Sequence, residues 1–373
     1  MSIAVVLQQR FFDCVLEVSP EQIRFGVKAG QRKGQQPDTK RTLLAIEQQA
    51  QQNRQAGVAA KQQFLEFTQA HLHDQVAEEL FLKLGKFETI ASTVFSLAEG
   101  FPPVLDALSA RAVTLSQLDA LISKVDWLKE DILKLVNQPN YRKKTSSGNY
   151  VKELKTALGM VGIESLKQIV PVFGLKRCLP HSTDPFTGFK VNIWEYSLAV
   201  AIASQRLAEE TGDNQFVAFC AGLFNSLGYF VVTRTYLRTY QQTRQTALLQ
   251  ARDSRDTVLT DALDSLHADP SFLTSCFQEF AAIISADLVS KWHLKRIPLG
   301  GTLDQLAEGV SFQGANQLTR LLHQAEYFVQ SQTLRKAKIL SDAEDQQWRQ
   351  EVQLREDYLH ILQNTRLDKL DLE

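Results

Sequence analysis

The sequence predicts an all-α protein, and three observations support this class. Apolar residues recur at steps of three and four along most of the 373 residues, which is the spacing of one buried face of an α-helix. Residues that commonly cap helices stand at the ends of these stretches, such as Thr114 and Gly212. The strand-like run Val231-Val232-Thr233 has no partner segments with the period-two alternation of a half-buried strand.

The first helical segments follow from composition and periodicity. A polar stretch from Gly30 to Arg41 is predicted to be an exposed loop, because it contains two glycines and a proline. The stretch from Thr42 to Leu84 is rich in good helix formers, and we predict two helices there. Proline in the first turn favours a short helix from Phe101. The next buried helix face is formed by Leu128, Ile132, Leu135 and Val136.

Glycines and caps place the later helices. Gly162 is predicted to separate two helices, of which the second ends at Pro171. Gly300 and Gly301 are predicted to form a loop before an N-cap at Thr302. A final helix is predicted after Ser341, which has the spacing of a capping box with Glu344. The apolar stripe of this helix is Trp348, Val352, Leu359 and Leu362.

Composition and charge are those of a folded chain without a charge surplus. Hydrophobic residues make up 44% and charged residues 22% of the sequence, and the formal net charge is −1. Such proportions are ordinary for a soluble folded protein. Binding to nucleic acid or to an anionic membrane mainly by charge needs a surplus of Lys and Arg. We therefore expect neither a membrane nor nucleic acid as the main partner.

The cysteines and the amino terminus favour a reducing cytoplasm. The four cysteines are far apart and form no CxxC pair, so we expect free thiols that behave as small apolar side chains. The first residues, MSIAVVLQQRFFDC, lack the basic start, long apolar core and cleavage site of a signal peptide. No stretch approaches the ~18 uncharged apolar residues of a membrane span. The cysteines are Cys14, Cys178, Cys220 and Cys276.

Four short segments occur in order along the chain. The first begins with Phe101-Pro102-Pro103-Val104, and its paired helices end at the turn Asn137-Gln138-Pro139. The second runs from Leu154 to Leu166, the third is WEYSLAVA from Trp194, and the fourth is AFCAGLFNSLG from Ala218. These segments resemble the motifs of the HDOD family, whose members are bacterial relatives of the HD phosphohydrolases. Weaker likeness lies at 288–292 and 324–327, so the resemblance covers residues 87–331.

The resemblance implies a fold and a role. The expected fold is an HD-domain-like helical bundle with additional helical segments at both ends. The predicted parts are an N-terminal helical extension at 1–86, an HDOD-like domain at 87–331 and a C-terminal helical tail at 332–373. The resemblance also implies a regulatory output or interaction module of bacterial signal transduction, which binds a protein partner.

The metal-binding residues of the family are replaced in this chain. In HD phosphohydrolases a histidine, a His-Asp pair and a distant aspartate hold a divalent metal that activates water. The resemblance places Tyr196 at the first histidine, Asn225 and Ser226 at the His-Asp pair, and Glu326 at the last aspartate. A neutral phenol, amide and hydroxyl are poor substitutes for imidazole and carboxylate. We therefore predict no catalytic residue, no metal and no other cofactor, and a relic pocket that retains at most a nucleotide or small anion.

Two other groups of residues are weaker candidates. Arg234 and Arg238, with tyrosines between and after them, could bind an anionic ligand, although arginines at helical spacing usually form a solvated helix face. His71 and His73 form the densest histidine cluster, next to Asp74. Residues two apart on a helix point to different sides, so we expect this cluster at the surface.

Two alternative functions stay open at this point. The first is a divergent metal-dependent phosphohydrolase or phosphodiesterase whose ligands lie at other positions. The second is a DNA-associated regulator, since the helix–Gly162–helix segment from Val151 to Val170 could be read as a helix-turn-helix. The second helix of that segment is mostly apolar, which favours a packed corner of the core over a base-reading helix.

Overall fold

The structure is a computed structural model that describes residues 3–18, 45–86, 100–142 and 150–370. All regular secondary structure in these residues is helical, so the predicted all-α class is confirmed. The predicted loop Gly30–Arg41 and the predicted domain start at residue 87 lie outside the described residues. The helices are α1 (Ile3–Val15), α2 (Ala45–Leu84), α3 (Phe101–Leu108), α4 (Leu115–Ile122), α5 (Asp126–Val136), α6 (Pro139–Arg142), α7 (Leu154–Val161), α8 (Ile163–Cys178), α9 (Phe189–Thr211), α10 (Gln215–Phe224), α11 (Leu227–Asp253), α12 (Thr257–Ser265), α13 (Pro270–Cys276), α14 (Ala282–Ser290), α15 (Leu299–Ala307), α16 (Gln317–Lys336), α17 (Asp342–Glu351) and α18 (Glu356–Gln363). A π-helical turn, Phe277–Ala281, joins α13 to α14.

Several helices begin and end where their capping residues predict. Thr114 forms a complete capping box with Gln117 at the start of α4. Ser341 does the same with Glu344 at the start of α17. Gly212 closes α9 with φ 75°, a left-handed conformation that costs glycine little because it has no Cβ.

Four predicted boundaries are wrong. The region before Leu84 holds one helix of 40 residues, since its Ala, Gln and Glu residues sustain the helix through Gly57. Helix α8 continues through the buried Pro171 to Cys178. Helix α15 starts at Leu299, so Gly300 and Gly301 are helical and Thr302 is not the N-cap. The apolar stripe after Ser341 is divided between two helices, α17 and α18.

The centre of the fold is formed by α9, which packs against α10 and α16. Helix α1 crosses this centre and contacts α9, α13, α16 and α17. One continuous cluster of buried apolar side chains extends from Leu7 to Leu362. The segments before residue 87 and after residue 331 therefore contribute to the same core as the residues between them. The division into three predicted parts stays a prediction.

Helix α2 packs along only part of its length. Its buried residues Leu72, Val76, Leu80 and Leu84 follow one another at steps of four, and this face lies on α11 and α12. Residues 56–63 are exposed. Residues 56–63 therefore do not share the packing of the last turns of the helix.

By length and composition, two helical stretches are long and apolar enough to cross a membrane. From the sequence we expected no such stretch. The two stretches are Gln215–Asp253 and Pro270–Ser290. The bent pair α7 and α8, at 109°, passes the same test when taken together. Within the fold, 94% of the most apolar window of the first stretch and 56% of that of the second are buried. Other helices of the chain therefore cover most of this apolar surface.

Two glycines permit the closest helix contacts around α10. A Cβ on Gly222 would lie 2.8 Å from the Cα of Ala201 and 2.8 Å from the carbonyl oxygen of Val200 on α9. A Cβ on Gly228 would overlap the carbonyl oxygen of Ala281 in the π-helical turn. Both neighbours are backbone atoms, so they cannot give way by a change of rotamer. Glycine at these positions is therefore a packing requirement.

The substitution Gly228→Ala should destabilise the protein by about 2 kcal/mol or more, because overpacking against backbone forces the helices apart. The matched control is Gly159→Ala, at an exposed helical position where a Cβ would meet nothing within 4 Å. That variant should gain about 0.5–1 kcal/mol, because alanine is the better helix former. Urea unfolding of the three proteins measures both effects. Equal stability of Gly228→Ala and the unmodified protein would contradict the close contact.

Candidate functional site

The four predicted site residues lie on two helices and at one helix junction, which meet inside the fold. Tyr196 lies in the middle of α9, and Glu326 lies in the middle of α16. Asn225 and Ser226 form the junction between α10 and α11. Because α9 packs against both α10 and α16, side chains from all three meet inside the fold. All four residues are buried.

Tyr196, Asn225 and Glu326 form one hydrogen-bonded network. The Asn225 side-chain amide donates to Glu326 Oε1 at 2.6 Å, and the Tyr196 hydroxyl donates to the same oxygen at 3.3 Å. The Gln330 amide donates to the Tyr196 oxygen at 2.9 Å. Sequence reasoning missed Gln330, although it stands one helical turn after Glu326 and so shares its face. The network therefore holds one carboxyl group among neutral polar side chains.

Ser226 does not join this network through its side chain. Its hydroxyl is buried and has no hydrogen-bond partner among the described residues. The helix junction is held by Ser285, whose hydroxyl donates to the Asn225 carbonyl at 2.7 Å and accepts from the Gly228 N–H at 2.8 Å. Ser285 thus fixes the backbone that carries Asn225.

Burial controls the protonation of the network. It raises the pKa of the Glu326 carboxyl from 4.5 to about 7, while the hydrogen bonds from Tyr196 and Asn225 act in the opposite direction. Burial also holds the pKa of the Tyr196 hydroxyl well above its ordinary value of 10, and the nearby Glu326 adds to that effect. Near neutral pH the tyrosine is therefore un-ionised, and Glu326 is divided between its acid and carboxylate forms.

The network reaches a cleft of about 700 Å³. Asn225 and Glu326 line it, together with Tyr229 from the first turn of α11 and His323 from the turn before Glu326. Burial lowers the pKa of His323, which favours its neutral form. Further walls come from α1, the π-helical turn and α17. Aromatic side chains that contribute to the lining are Phe12, Tyr229, Phe277, Phe312, Tyr327 and Trp348.

Helix α1 forms one wall of this site. The ring of Phe11 packs on Tyr196, with 4.7 Å between the ring centroids, and Phe12 packs on Tyr229 at 4.8 Å. The helix is fixed by an ion pair of 2.8 Å between Arg10 and Glu344. Sequence reasoning did not connect Phe11 and Phe12 to the site. Their only sequence signal was an apolar pair in the first helix, which does not say what it covers.

The network does not suit the metal that HD phosphohydrolases hold. Glu326 provides the one anionic group, and Asn225 turns its N–H donor towards that carboxylate. The Tyr196 phenol is un-ionised, so it offers a poor ligand. In the parts of the chain that the structure describes, no three His, Cys, Asp or Glu residues are arranged to hold a metal ion. A firm site for zinc or a similar metal needs at least three good donors, and these residues supply one.

The other candidate residues lie apart from the cleft lining. Arg238 is exposed on α11, and Arg234 is partly exposed on the same helix. Tyr236, between them, is buried and accepts the backbone N–H of Asp269 at 3.0 Å. His71 is exposed, whereas the ring of His73 stacks on Phe272 at 5.4 Å. Anion binding at Arg234 and Arg238 stays a prediction.

The helix–Gly162–helix segment is a bent pair of helices, α7 and α8, at 109°. Helix α8 packs against α3, α7 and α10. Its residues Leu166, Ile169 and Val170 are buried, and Lys167 is paired with Glu164 at 2.8 Å. The side chains that would have to read bases therefore face the core.

Replacing Glu326 by Gln should remove a pH-dependent destabilisation. The carboxyl holds its proton more tightly in the folded state, so its contribution to stability is complete below about pH 4.5 and is lost as the pH rises through 7. Between about pH 5 and pH 8 the unmodified protein should lose about 2.5 kcal/mol relative to Glu326→Gln.

Urea unfolding at several pH values measures this difference, and Glu78→Gln, on the exposed side of α2, serves as control. That variant should follow the unmodified protein at every pH. A constant difference between Glu326→Gln and the unmodified protein would contradict the raised pKa.

The comparison with family models agrees with the motifs. The family model described as the HDOD domain matches residues 96–274. The crystal structure of a candidate metal-dependent phosphohydrolase from Shewanella amazonensis is similar at 14% identity and a TM-score of 0.40, over 78% of this chain and 98% of that one. No curated protein matches the sequence. The resemblance that the four segments indicate is confirmed over residues 96–274, which match the model of the HDOD domain.

Proposed function

We propose that this protein is a non-catalytic module of signal transduction that acts by binding a protein partner or a small ligand. The observation that carries the proposal is the hydrogen-bonded state of Glu326, whose Oε1 atom already accepts from Tyr196 and Asn225. The resemblance assigns these residues to the positions of the metal ligands of the HD phosphohydrolases. A carboxyl that accepts from neutral donors, in a described region where no three His, Cys, Asp or Glu residues converge, does not suit a metal that could activate water.

The remaining polar groups do not replace the missing chemistry. A general base must lie within hydrogen-bond reach of the water that it deprotonates and keep a suitable pKa. Glu326 has a suitable pKa of about 7, but attack on a phosphate ester also requires cationic groups that stabilise the developing charge. Among the described residues that line the cleft, none is Lys or Arg. The described lining therefore offers no cationic side chain for a developing negative charge, which supports binding as the role of the site.

The fold supports a binding role in a further way. Helices α1 and α17 extend the site beyond the matched domain, since both contribute residues to the cleft. A ligand or partner segment in the cleft would contact elements from both ends of the chain, and its binding could change how they pack. The proposal includes a cytoplasmic location, in keeping with the free cysteines of the described residues.

Metal analysis and a turnover assay test the proposal. After incubation with Mn²⁺, Fe²⁺ or Zn²⁺ and gel filtration, the unmodified protein should retain far less than about one metal per chain. It should also fail to hydrolyse a generic phosphodiester. The control is a triple variant, Tyr196→His, Asn225→His and Ser226→Asp, which restores the residue types of the family around Glu326. We expect it to retain more metal than the unmodified protein.

Retention of about one or two metals by the unmodified protein, together with turnover, would contradict the proposal. It would favour the alternative of a divergent phosphohydrolase whose ligands lie at other positions. Metal retention by the triple variant alone shows that the cleft can hold a metal and that the three replacements prevent it.

A further inference from the structure

The cleft over Glu326 has an acidic and aromatic lining. Glu326 contributes a buried carboxyl group, and His323 is the one basic side chain among the described lining residues. Arg320 lies next to this region, but its guanidinium packs over the ring of Phe312 and donates to the carbonyls of Phe312 and Gln313. An anionic ligand would therefore meet negative charge without a cationic group in the lining to balance it.

The Glu326 carboxyl lacks a cationic partner. Its hydrogen bonds come from neutral groups, and no Lys or Arg of the described residues forms an ion pair with it. Buried charges in proteins are normally paired. The structure thus presents a carboxyl whose charged form is incompletely compensated, at a point that the cleft reaches.

An aromatic ring stands beside this carboxyl. Tyr229 lines the cleft, is partly exposed and lies close enough to Glu326 for the two groups to interact electrostatically. Its ring is held in place by Phe12 at 4.8 Å and by Phe277 at 5.4 Å. The face of an aromatic ring attracts cations, and proteins use this attraction to recognise quaternary ammonium groups. A nearby carboxylate adds a charge attraction for the same cation.

We propose that this cleft binds a small organic ammonium cation, with the Glu326 carboxylate as its counter-ion and the Tyr229 ring against its alkyl groups. The proposal rests on the non-catalytic binding role proposed above, and it names the ligand class for the same site. It differs from the expected nucleotide or small anion, because the described lining contains the Glu326 carboxyl and no Lys or Arg. A volume of about 700 Å³ accommodates such a ligand.

The groups that face Glu326 are consistent with a cationic ligand. Helix α9 contributes the un-ionised Tyr196, the junction contributes Asn225, and α11 contributes Tyr229. Helix α16 itself contributes the neutral His323 and Gln330. The ring of Phe12 comes from α1, and Trp348 comes from α17. None of these groups carries a positive charge at neutral pH, so none competes with the ligand.

Binding of choline tests the proposal, with its uncharged carbon analogue 3,3-dimethylbutan-1-ol as matched ligand control. Isothermal titration of the full chain at pH 8 should give a dissociation constant for choline of about 1 mM or below. The carbon analogue has the same shape without the charge, so it should bind at least about tenfold more weakly. Saturation-transfer NMR should show contact at the choline methyl groups.

Three variants locate the site. Glu326→Gln should weaken choline binding at least about tenfold, and Tyr229→Leu about fivefold, because each removes one attraction for the cation. Tyr229→Phe keeps the ring and should lose no more than about twofold. The exposed Glu78→Gln should bind as the unmodified protein does. Thermal unfolding of each variant shows whether it is folded. If Glu326→Gln does not fold, the two Tyr229 variants still test the site.

The proposal would be overturned if choline and its carbon analogue bound with equal affinity. It would also be overturned if Tyr229→Phe and Tyr229→Leu lost the same amount of affinity for choline. Absence of choline binding would also overturn it. If the unmodified protein then also lacks metal and turnover, the non-catalytic role stands without this ligand class. If it holds metal and hydrolyses a phosphodiester, both proposals fail.

Discussion

A carboxyl group that three helices bury together has to obtain its hydrogen bonds from those helices. In this protein Asn225 and Tyr196 provide them, and Gln330 in turn supports Tyr196. The contacts tie α9, the α10–α11 junction and α16 to one another at the centre of the fold. Removing either donor would leave the carboxyl with a single hydrogen bond, and a buried polar group that loses a partner is costly in the interior of a protein. The packing at the centre and the properties of the cleft therefore depend on the same few atoms.

The first helix of the chain depends on this centre as well. Phe11 covers the ring of Tyr196 and Phe12 covers that of Tyr229, so α1 shields the network on one side. Glu17, just after this helix, accepts the backbone N–H of Gly188 at 3.1 Å, and Asn192 donates to the Val15 carbonyl at 3.1 Å. These contacts join the amino-terminal segment to the start of α9. A segment outside the matched domain thus helps to shape its cleft.

Local signals in the sequence were enough to place most helices. The capping boxes at Thr114 and Ser341 and the C-cap at Gly212 depend only on neighbouring residues, so they can be read without the fold. The continuation of α8 through Pro171 could not be read in this way, because tertiary packing overrides the local preference. The role of Phe11 was equally hidden, since a pair of phenylalanines in a helix does not identify the helix that it will meet.

The fourth motif contains residues that the packing requires and residues that it does not. Within AFCAGLFNSLG, Gly222 and Gly228 lie where a Cβ would collide with the backbone of α9 and of the π-helical turn. The two positions that would carry the metal ligands, Asn225 and Ser226, lie between them. Packing constrains the glycines whether or not a metal is bound, whereas nothing in the packing requires histidine and aspartate. Ser285 holds the junction through the backbone carbonyl of residue 225, a contact that does not depend on the side chain there. The Asn225 side-chain amide donates to Glu326. The geometry of the junction is therefore set by the glycines and by Ser285, and the side chain of residue 225 determines what the junction presents to the carboxyl.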